Sequence, residues 1–516
     1  MDVGTLVSRA ARWHSGKTAI VCSGKERTFA QIDENANRVA NALAGLGLAK
    51  GDRVALYADN SVEYFEVLFG LFKGGLISVG VNSMLSAVEG VHIINHSGAR
   101  VVITSPRIAE GLSSRIPEMP AVEGWVCVGE PPEGMRGYGE FVRGGKPSPP
   151  GVRVNEGDLA QLFYTGGTTG APKGVMVTHD IVMNALRNIQ AEFVPIRQSD
   201  VVLSPGSLAH ASGYYSMVTF IMGGKLLIPV GFDPAEALGT IERERVTVIP
   251  GYPVTLIRLI DHPGLGKYDL GSLRLLTYGA SPMPADKLRE ALGVFGMKLA
   301  QGYGQAEAMM TITCLTPEDH AHALAENPGR LTSCGRPYMT QEVRVVDEGD
   351  REVTRGGKGE VITRGKVCTA GYWNNPQATA ETVRDGWVHT GDVGWMDEEG
   401  YLYLVDRKKD VIISGGENIY AREVEDVLNG HPAVAEAAVV GVPDEEWGES
   451  VKAFVALKPG MRATGEEIIQ FCKERLSSYK KPKSVDFLGE LPRTAASKIS
   501  KKDLRDPYWA GRARKI

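Results

Sequence analysis

The sequence predicts an α/β protein: a large N-terminal domain of two helix-wrapped, mainly parallel sheets plus a small β subdomain, followed by a small α+β C-terminal domain. Three observations predict it. Short apolar runs alternate with amphipathic stretches as far as Pro250, the order of a parallel sheet covered by helices. From about Thr340 to Arg364 the pattern changes to short strands with turn residues, Glu348-Gly349-Asp350 and Arg355-Gly356-Gly357. Beyond residue 409 helices and strands mix again, and 516 residues exceed what one hydrophobic core holds.

The elements follow in order. Val54-Ala55-Leu56-Tyr57 reads as a buried strand. Val62 to Phe72 reads as a helix with Phe65, Leu68, Phe69 and Phe72 on one face. Leu76 to Val81 is a strand, Ala87 to Asn95 a helix and Arg100 to Thr104 a strand. The Pro- and Gly-rich stretch Gly129 to Gly151 is expected to be a surface loop. A second unit of the same kind starts with a helix over Asp180 to Ala191, then strands at Val201 to Ser204 and Lys225 to Pro229. Asp233 is placed to cap a helix over Pro234 to Arg245, whose first turn carries a proline. Val246 to Pro250 is the next strand. Near the C-terminal end, Arg422 to Leu428 and Glu466 to Leu476 read as helices, Ala435 to Val442 and Lys452 to Leu457 as strands. The last 19 residues carry seven Lys or Arg against two Asp and read as a solvated tail.

Composition excludes several classes. The formal net charge of −5 argues against a general nucleic-acid binder. No apolar run approaches the roughly 20 residues of a membrane span, and no secretory signal opens the chain. The six cysteines show no metal or redox spacing, as expected for reduced thiols in a cytoplasmic protein.

The strongest local signal is Tyr164-Thr165-Gly166-Gly167-Thr168-Thr169-Gly170-Ala171-Pro172-Lys173-Gly174. Glycines let backbone N–H groups turn toward an anion; the threonine hydroxyls and Lys173 add donors and charge. This is a phosphate cradle, without the spacing of the common nucleotide-triphosphatase loop. A second motif is Gln301-Gly302-Tyr303-Gly304-Gln305-Ala306-Glu307, which sets an aromatic ring and a carboxylate close together between glycines. Two more follow: Trp387-Val388-His389-Thr390-Gly391-Asp392 with Asp406-Arg407-Lys408-Lys409-Asp410, and Leu491-Pro492-Arg493-Thr494-Ala495-Ala496-Ser497-Lys498-Ile499.

These motifs, in this order, resemble the adenylate-forming superfamily of acyl-CoA synthetases, aryl-CoA ligases, luciferases and peptide-synthetase adenylation domains, from about residue 10 to residue 505. The resemblance implies ATP, Mg²⁺ and coenzyme A, with a small-molecule carboxylic acid as substrate. It places Thr165, Gly166, Gly167, Thr168, Thr169, Gly170 and Lys173 at the phosphates. It adds Gly279, Ala280, Ser281, Gln301, Gly302, Tyr303, Gly304 and Ala306 to the nucleotide site, with Tyr303 on adenine and Glu307 on Mg²⁺. Asp392 and Arg407 fall to the ribose, and Lys498 is the adenylation lysine. Lys409 is the hinge between domains expected at 1–408 and 409–516. Ser414, Gly415, Gly416 and Glu417 line the coenzyme A channel, and His210 sits beside the acyl carboxylate. Tyr252, Val254, Met309 and Met310 wall an acyl pocket left open by Gly304, with Ala209, Ala211 and Gly213 nearby; acetate-activating members carry a tryptophan at the position of Gly304, so the resemblance implies that Gly304→Trp would plug the pocket against large acids.

Two positions depart from the family pattern. Ala306 stands where relatives carry Thr, and Ser497 where they carry Gly. The implied activity is acyl-CoA formation through an acyl-adenylate, from medium- or long-chain fatty, alicyclic or aryl acids. Transfer to a carrier protein or an amine, and a non-catalytic acyl-nucleotide binder, stay open as alternatives. The sequence is compatible with a homo-oligomer.

Overall fold

The computed structural model describes residues 2–165, 172–415, 417–494 and 498–510. Two compact units divide them. The first holds the described residues up to 165, 172–343 and 363–388; the second holds 344–362 and those from 389 onward.

The first unit contains two large sheets. In one, the strand order is Arg136–Gly137, Gly124–Cys127, Val101–Thr104, Arg53–Tyr57, Ile77–Gly80, Leu159–Thr165, Lys173–Thr178. All neighbours are parallel except the last pair, an antiparallel hairpin. In the other, a central parallel run of Thr18–Cys22, Lys225–Ile228, Val201–Leu203, Val248–Pro250, Leu275–Gly279 and Leu299–Tyr303 is flanked by antiparallel strands. Helices Phe29–Gly45, Val62–Gly74, His179–Asn188 and Ala211–Ile221 contribute to one core cluster. Helix Val62–Gly74 is buried on every face, so the predicted phenylalanine stripe is one side of a helix with no solvent side. Its charged residues survive burial by pairing. Glu66 accepts from Arg27, Asn35 and Tyr138, and Lys73 pairs with Asp33.

Most predicted elements are present within a few residues. Asp233 accepts from the Glu236 N–H at 2.8 Å and Pro234 opens the helix, as its cap position requires. The stretch 129–151 departs from expectation. It holds a helix, Tyr138–Arg143, with Tyr138, Phe141 and Val142 buried, because the Tyr138 hydroxyl reaches Glu66 at 2.7 Å.

The segment predicted as β-rich forms strands Gln341–Val346 and Gly359–Gly365. They belong to a five-stranded sheet with Val383–Arg384, Trp387–Met396 and Leu402–Arg407. Beyond it lies a second five-stranded sheet, ordered Glu417–Ile419, Ile412–Ser414, Gly448–Leu457, Val434–Asp444, with Ser484–Phe487 also on Gly448–Leu457. The helix Ala421–Asn429 packs on it. The C-terminal residues are not simply a solvated tail. Lys501–Trp509 is a helix with Leu504 buried, because Lys501 pairs with Glu425 at 2.9 Å and Arg505 with Asp410 at 3.3 Å. Among the described residues no helix is long and apolar enough to cross a membrane, and all six cysteines are free thiols.

Candidate active site

In the first unit, the two sheets carry the predicted nucleotide segments separately. The hairpin Leu159–Thr165 with Lys173–Thr178 carries the ends of the Thr-Gly loop and pairs Thr165 with Lys173. Gly166, Gly167, Thr168, Thr169 and Gly170 lie outside the described residues. Parallel pairing of Leu275–Gly279 with Leu299–Tyr303 sets Gly279 opposite Gly302, so the predicted nucleotide segments 279–281 and 301–304 are neighbours. This approach needs glycine: a Cβ on Gly279 would lie 2.4 Å from the Gly302 carbonyl oxygen. Ala280 follows in the left-handed region at φ 64°.

The turn after Tyr303 is tightly wound. Ala306–Ala308 is a short 3₁₀ turn, and Met309 and Met310 take φ of 38° and 61°. Two successive non-glycine residues in that region store strain, which surrounding structure must offset. Backbone bonds from the Met310 N–H to Gln305 and from the Ile312 N–H to Tyr303 hold the turn. The Tyr214 hydroxyl contacts the Met309 sulfur at 3.5 Å and also donates to Gln161. Gly304 packs against this turn: a Cβ there would lie 2.3 Å from the Met310 carbonyl carbon. A tryptophan at 304, the pocket plug that the family resemblance implies, therefore has no room to leave the backbone. Ala306 is buried.

Glu307 is oriented from a distant part of the chain. The Tyr372 hydroxyl donates to its Oε1 at 2.7 Å, and the Thr369 N–H donates to its backbone carbonyl at 2.8 Å. Burial, reinforced by the Glu307 charge, pushes the Tyr372 phenol far above its ordinary range, so it stays a donor. Lys173 Nζ lies 5.2 Å from the Tyr372 ring centre, within cation–π range.

His210 precedes helix Ala211–Ile221 and meets Phe163 edge-on at 5.7 Å. It lines a cavity of about 10 Å³ with Ser78, Gln161, Phe163 and Tyr214. Tyr252 is joined to the segment bearing His210 by a 3.1 Å hydroxyl contact with Ser212. Val254, expected in the same wall, is 57% exposed.

In the second unit, Asp392 and Arg407 are register partners on antiparallel strands and form an ion pair at 2.6 Å. Lys498 feels both. Desolvation foremost, then the Arg407 charge, lowers its pKa, with Asp392 opposing. Lys498 nevertheless keeps an exposed surface, so it is crowded without being sealed off. Its backbone closes a turn in which the Thr494 N–H donates to the Lys498 carbonyl at 2.7 Å. Ser497 lies outside the described residues.

Lys409 sits in the turn Lys408–Asp410, and desolvation lowers its pKa to about 8 against the pull of Asp410. Just before it, Asp406 accepts from the Arg422 N–H at 3.2 Å, in the first turn of helix Ala421–Asn429. Ser414 and Glu417 pair across a hairpin, and Gly415 takes φ 60° against Trp447, where a Cβ would meet the indole at 2.6 Å. Gly416 lies outside the described residues. Sequence reading missed Tyr372, Tyr214 and the helix Lys501–Trp509. None stands in a motif with a chemical signature.

Comparison with known proteins identifies the family. Residues 7–373 match the AMP-binding enzyme family, and residues 423–498 match the AMP-binding enzyme C-terminal domain. A feruloyl-CoA synthase from an Amycolatopsis species is 37% identical over 508 residues, covering 98% of each chain. A fatty acid–[acyl-carrier-protein] ligase from Streptomyces coeruleorubidus is 36% identical over 511 residues, covering 96% of this chain and 95% of its own. The crystal structure of an anthranilate CoA ligase in complex with anthranoyl-AMP superposes with a TM-score of 0.89 at 29% identity, covering 99% of this chain and 98% of that one. The chain therefore belongs to the AMP-binding enzyme superfamily and is an ATP-binding, adenylate-forming ligase.

Proposed function

We propose that this ligase makes acyl-CoA thioesters from hydrophobic carboxylic acids: medium- or long-chain fatty, alicyclic or aryl. The observation that carries the reading is the whole-length similarity to a feruloyl-CoA synthase, 98% of each chain, over a chain that keeps Glu307, Asp392, Arg407 and Lys498. An acyl carboxylate beside His210 attacks the α-phosphorus of ATP; the new P–O bond forms as pyrophosphate leaves. The thiolate of coenzyme A then attacks the acyl carbon, and AMP leaves with both electrons of the broken C–O bond. In the first step two anions meet, so positive charge and N–H donors near the α-phosphate lower the barrier. Lys498 supplies that charge; Asp392 and Arg407 hold the ribose, and Tyr303 lies on adenine.

The donor set fits Mg²⁺. Glu307 offers one hard oxygen carboxylate, and among the described residues no cluster of three metal-ligating side chains exists. Mg²⁺ takes most of its ligands from phosphates and water and needs few from protein. When bound, it supplies charge neutralisation at the phosphates. Domains 1–408 and 409–516 turn about Lys409, withdrawing Lys498 and presenting Ser414 to Glu417 to the thiol, a hinge exchange between two states.

A second reading, transfer to an acyl carrier protein, is favoured by the 36% identity to a fatty acid–[acyl-carrier-protein] ligase. A panel of carboxylic acids scored for ATP-dependent pyrophosphate release, followed by an acceptor assay with one accepted acid, tests both. Large apolar acids should outperform acetate, since each buried CH₂ contributes about 0.8 kcal/mol. A preference for acetate overturns the substrate class; product with holo carrier protein and none with coenzyme A overturns the acceptor.

A further inference from the structure

Tyr372 belongs to none of the motifs above, yet its side chain stands between two of them. The segment around it is stitched to the strand that follows the Thr-Gly loop. The Met176 N–H donates to Gly371 at 3.0 Å, the Trp373 N–H to Gly174 at 2.8 Å, and the Thr369 hydroxyl to the Met176 carbonyl at 2.7 Å. Val175 and Tyr372 form a β-bridge. The other side is equally fixed: the Tyr372 N–H donates to Thr379 Oγ1 at 2.9 Å, and a Cβ on Gly371 would strike Thr379 at 2.3 Å. The phenol is thus a rigid arm, 7% exposed, with its ring beside Lys173 and its hydroxyl on Glu307.

We infer that Tyr372 is a positioning residue that fixes the Glu307 carboxylate relative to Lys173 and so sets divalent-metal affinity at the ATP site. The inference rests on the reading of Glu307 as the metal carboxylate. A phenol bound to Oε1 fixes the rotation of the carboxyl group, and among the described residues Oε2 accepts no hydrogen bond. Without that anchor the carboxylate samples several rotamers and pays ordering entropy each time it takes a metal. The ring acts separately, by holding the Lys173 ammonium through its face.

Two titrations on the full chain, without carboxylic acid, separate these roles. Mn²⁺ is titrated into ATP-saturated protein, and ATP is titrated in EDTA. Tyr372→Phe keeps the ring and loses the hydroxyl. It should weaken Mn²⁺ binding about tenfold, the scale of one hydrogen bond to a charged group, while leaving metal-free ATP binding at the wild-type value. Tyr372→Ala also removes the ring and should weaken metal-free ATP binding as well. Glu307→Gln is the reference and should weaken Mn²⁺ binding at least as much as Tyr372→Phe. Wild-type Mn²⁺ affinity in Tyr372→Phe, with weakened affinity in Glu307→Gln, overturns the positioning role alone. Wild-type affinity in Glu307→Gln overturns the metal reading and this inference with it. Equal loss in both titrations for Tyr372→Phe, with a lowered thermal midpoint, shows a purely structural tyrosine and also overturns it.

Discussion

Arg407 grips Asp392 across an antiparallel strand pair, Nε to Oδ1 at 2.6 Å, with the carboxylate 7% exposed and the guanidinium 47%. The pair is lopsided. Removing the arginine takes an ion-pair partner from a buried charge, whereas removing the carboxylate affects a group already half in water. Asp392→Asn should keep the fold and lower adenylate formation at limiting ATP by about ten- to a hundredfold, the scale of hydrogen bonds to a charged group. Arg407→Ala should also lower the thermal midpoint. Pyrophosphate exchange at varied ATP and thermal unfolding check this; a stable, fully active Asp392→Asn variant contradicts it.

Lys498→Ala should abolish adenylate formation and leave thioester formation from supplied acyl-adenylate largely intact. In the proposed mechanism the charge acts where negative charge develops on phosphorus, and only the first half-reaction has that step. Equal loss in both half-reactions counts against the hinge exchange.

The same lysine sets an alkaline limit. Desolvation and Arg407 hold its pKa below the ordinary 10.5, so its charge is lost earlier as pH rises. Adenylation should decline on the alkaline side before a free lysine would titrate, and the limb should be absent from the thioester half-reaction. The pH profiles of the two half-reactions, measured separately, decide it.

An acid limit on stability follows from His179. The imidazole is fully buried against Phe72, neither ring nitrogen has a hydrogen-bond partner among the described residues, and burial lowers its pKa from 6.5 to about 4. As pH falls through 6.5 the unfolded chain takes up this proton and the folded chain does not. Stability therefore drops as pH falls from 6.5 to about 4, by about 3 kcal/mol. Unfolding midpoints in denaturant across this range should show the slope, and His179→Leu should flatten it. An unchanged slope in the variant assigns the acid sensitivity to other groups.

Gly304 gives a structural prediction where the sequence suggested a substrate switch. With a Cβ placed 2.3 Å from the Met310 backbone, Gly304→Ala should lose activity on acids of every size and lower the thermal midpoint, at a cost of about 1–3 kcal/mol from overpacking. Selective loss of large acids, with the fold intact, would restore the pocket-plug interpretation.

How much was legible depended on whether chemistry sits in contiguous residues. The alternating sheet-and-helix order was readable because apolar periodicity is local, as with helix Val62–Gly74 and its phenylalanines. Asp233 marked its helix start because capping needs only neighbours. The Arg407–Asp392 pair was foreshadowed by two motifs, though not its direct contact. Tyr372 was invisible, since its meaning lies in Glu307 and Lys173, 65 and about 200 positions away in the chain. The helix Tyr138–Arg143 hid in a Pro- and Gly-rich stretch because its anchor, Glu66, is remote.

The helix Lys501–Trp509 is fastened at two points, Lys501 to Glu425 and Arg505 to Asp410, and the second fastening adjoins Lys409. It is therefore mechanically wired to the proposed pivot. A fusion partner or surface tether attached after Trp509 would pull on Asp410 through Arg505 and load the turn of the proposed pivot. Immobilisation from that side should burden turnover, whereas anchoring at the exposed Trp13 leaves the pivot unloaded.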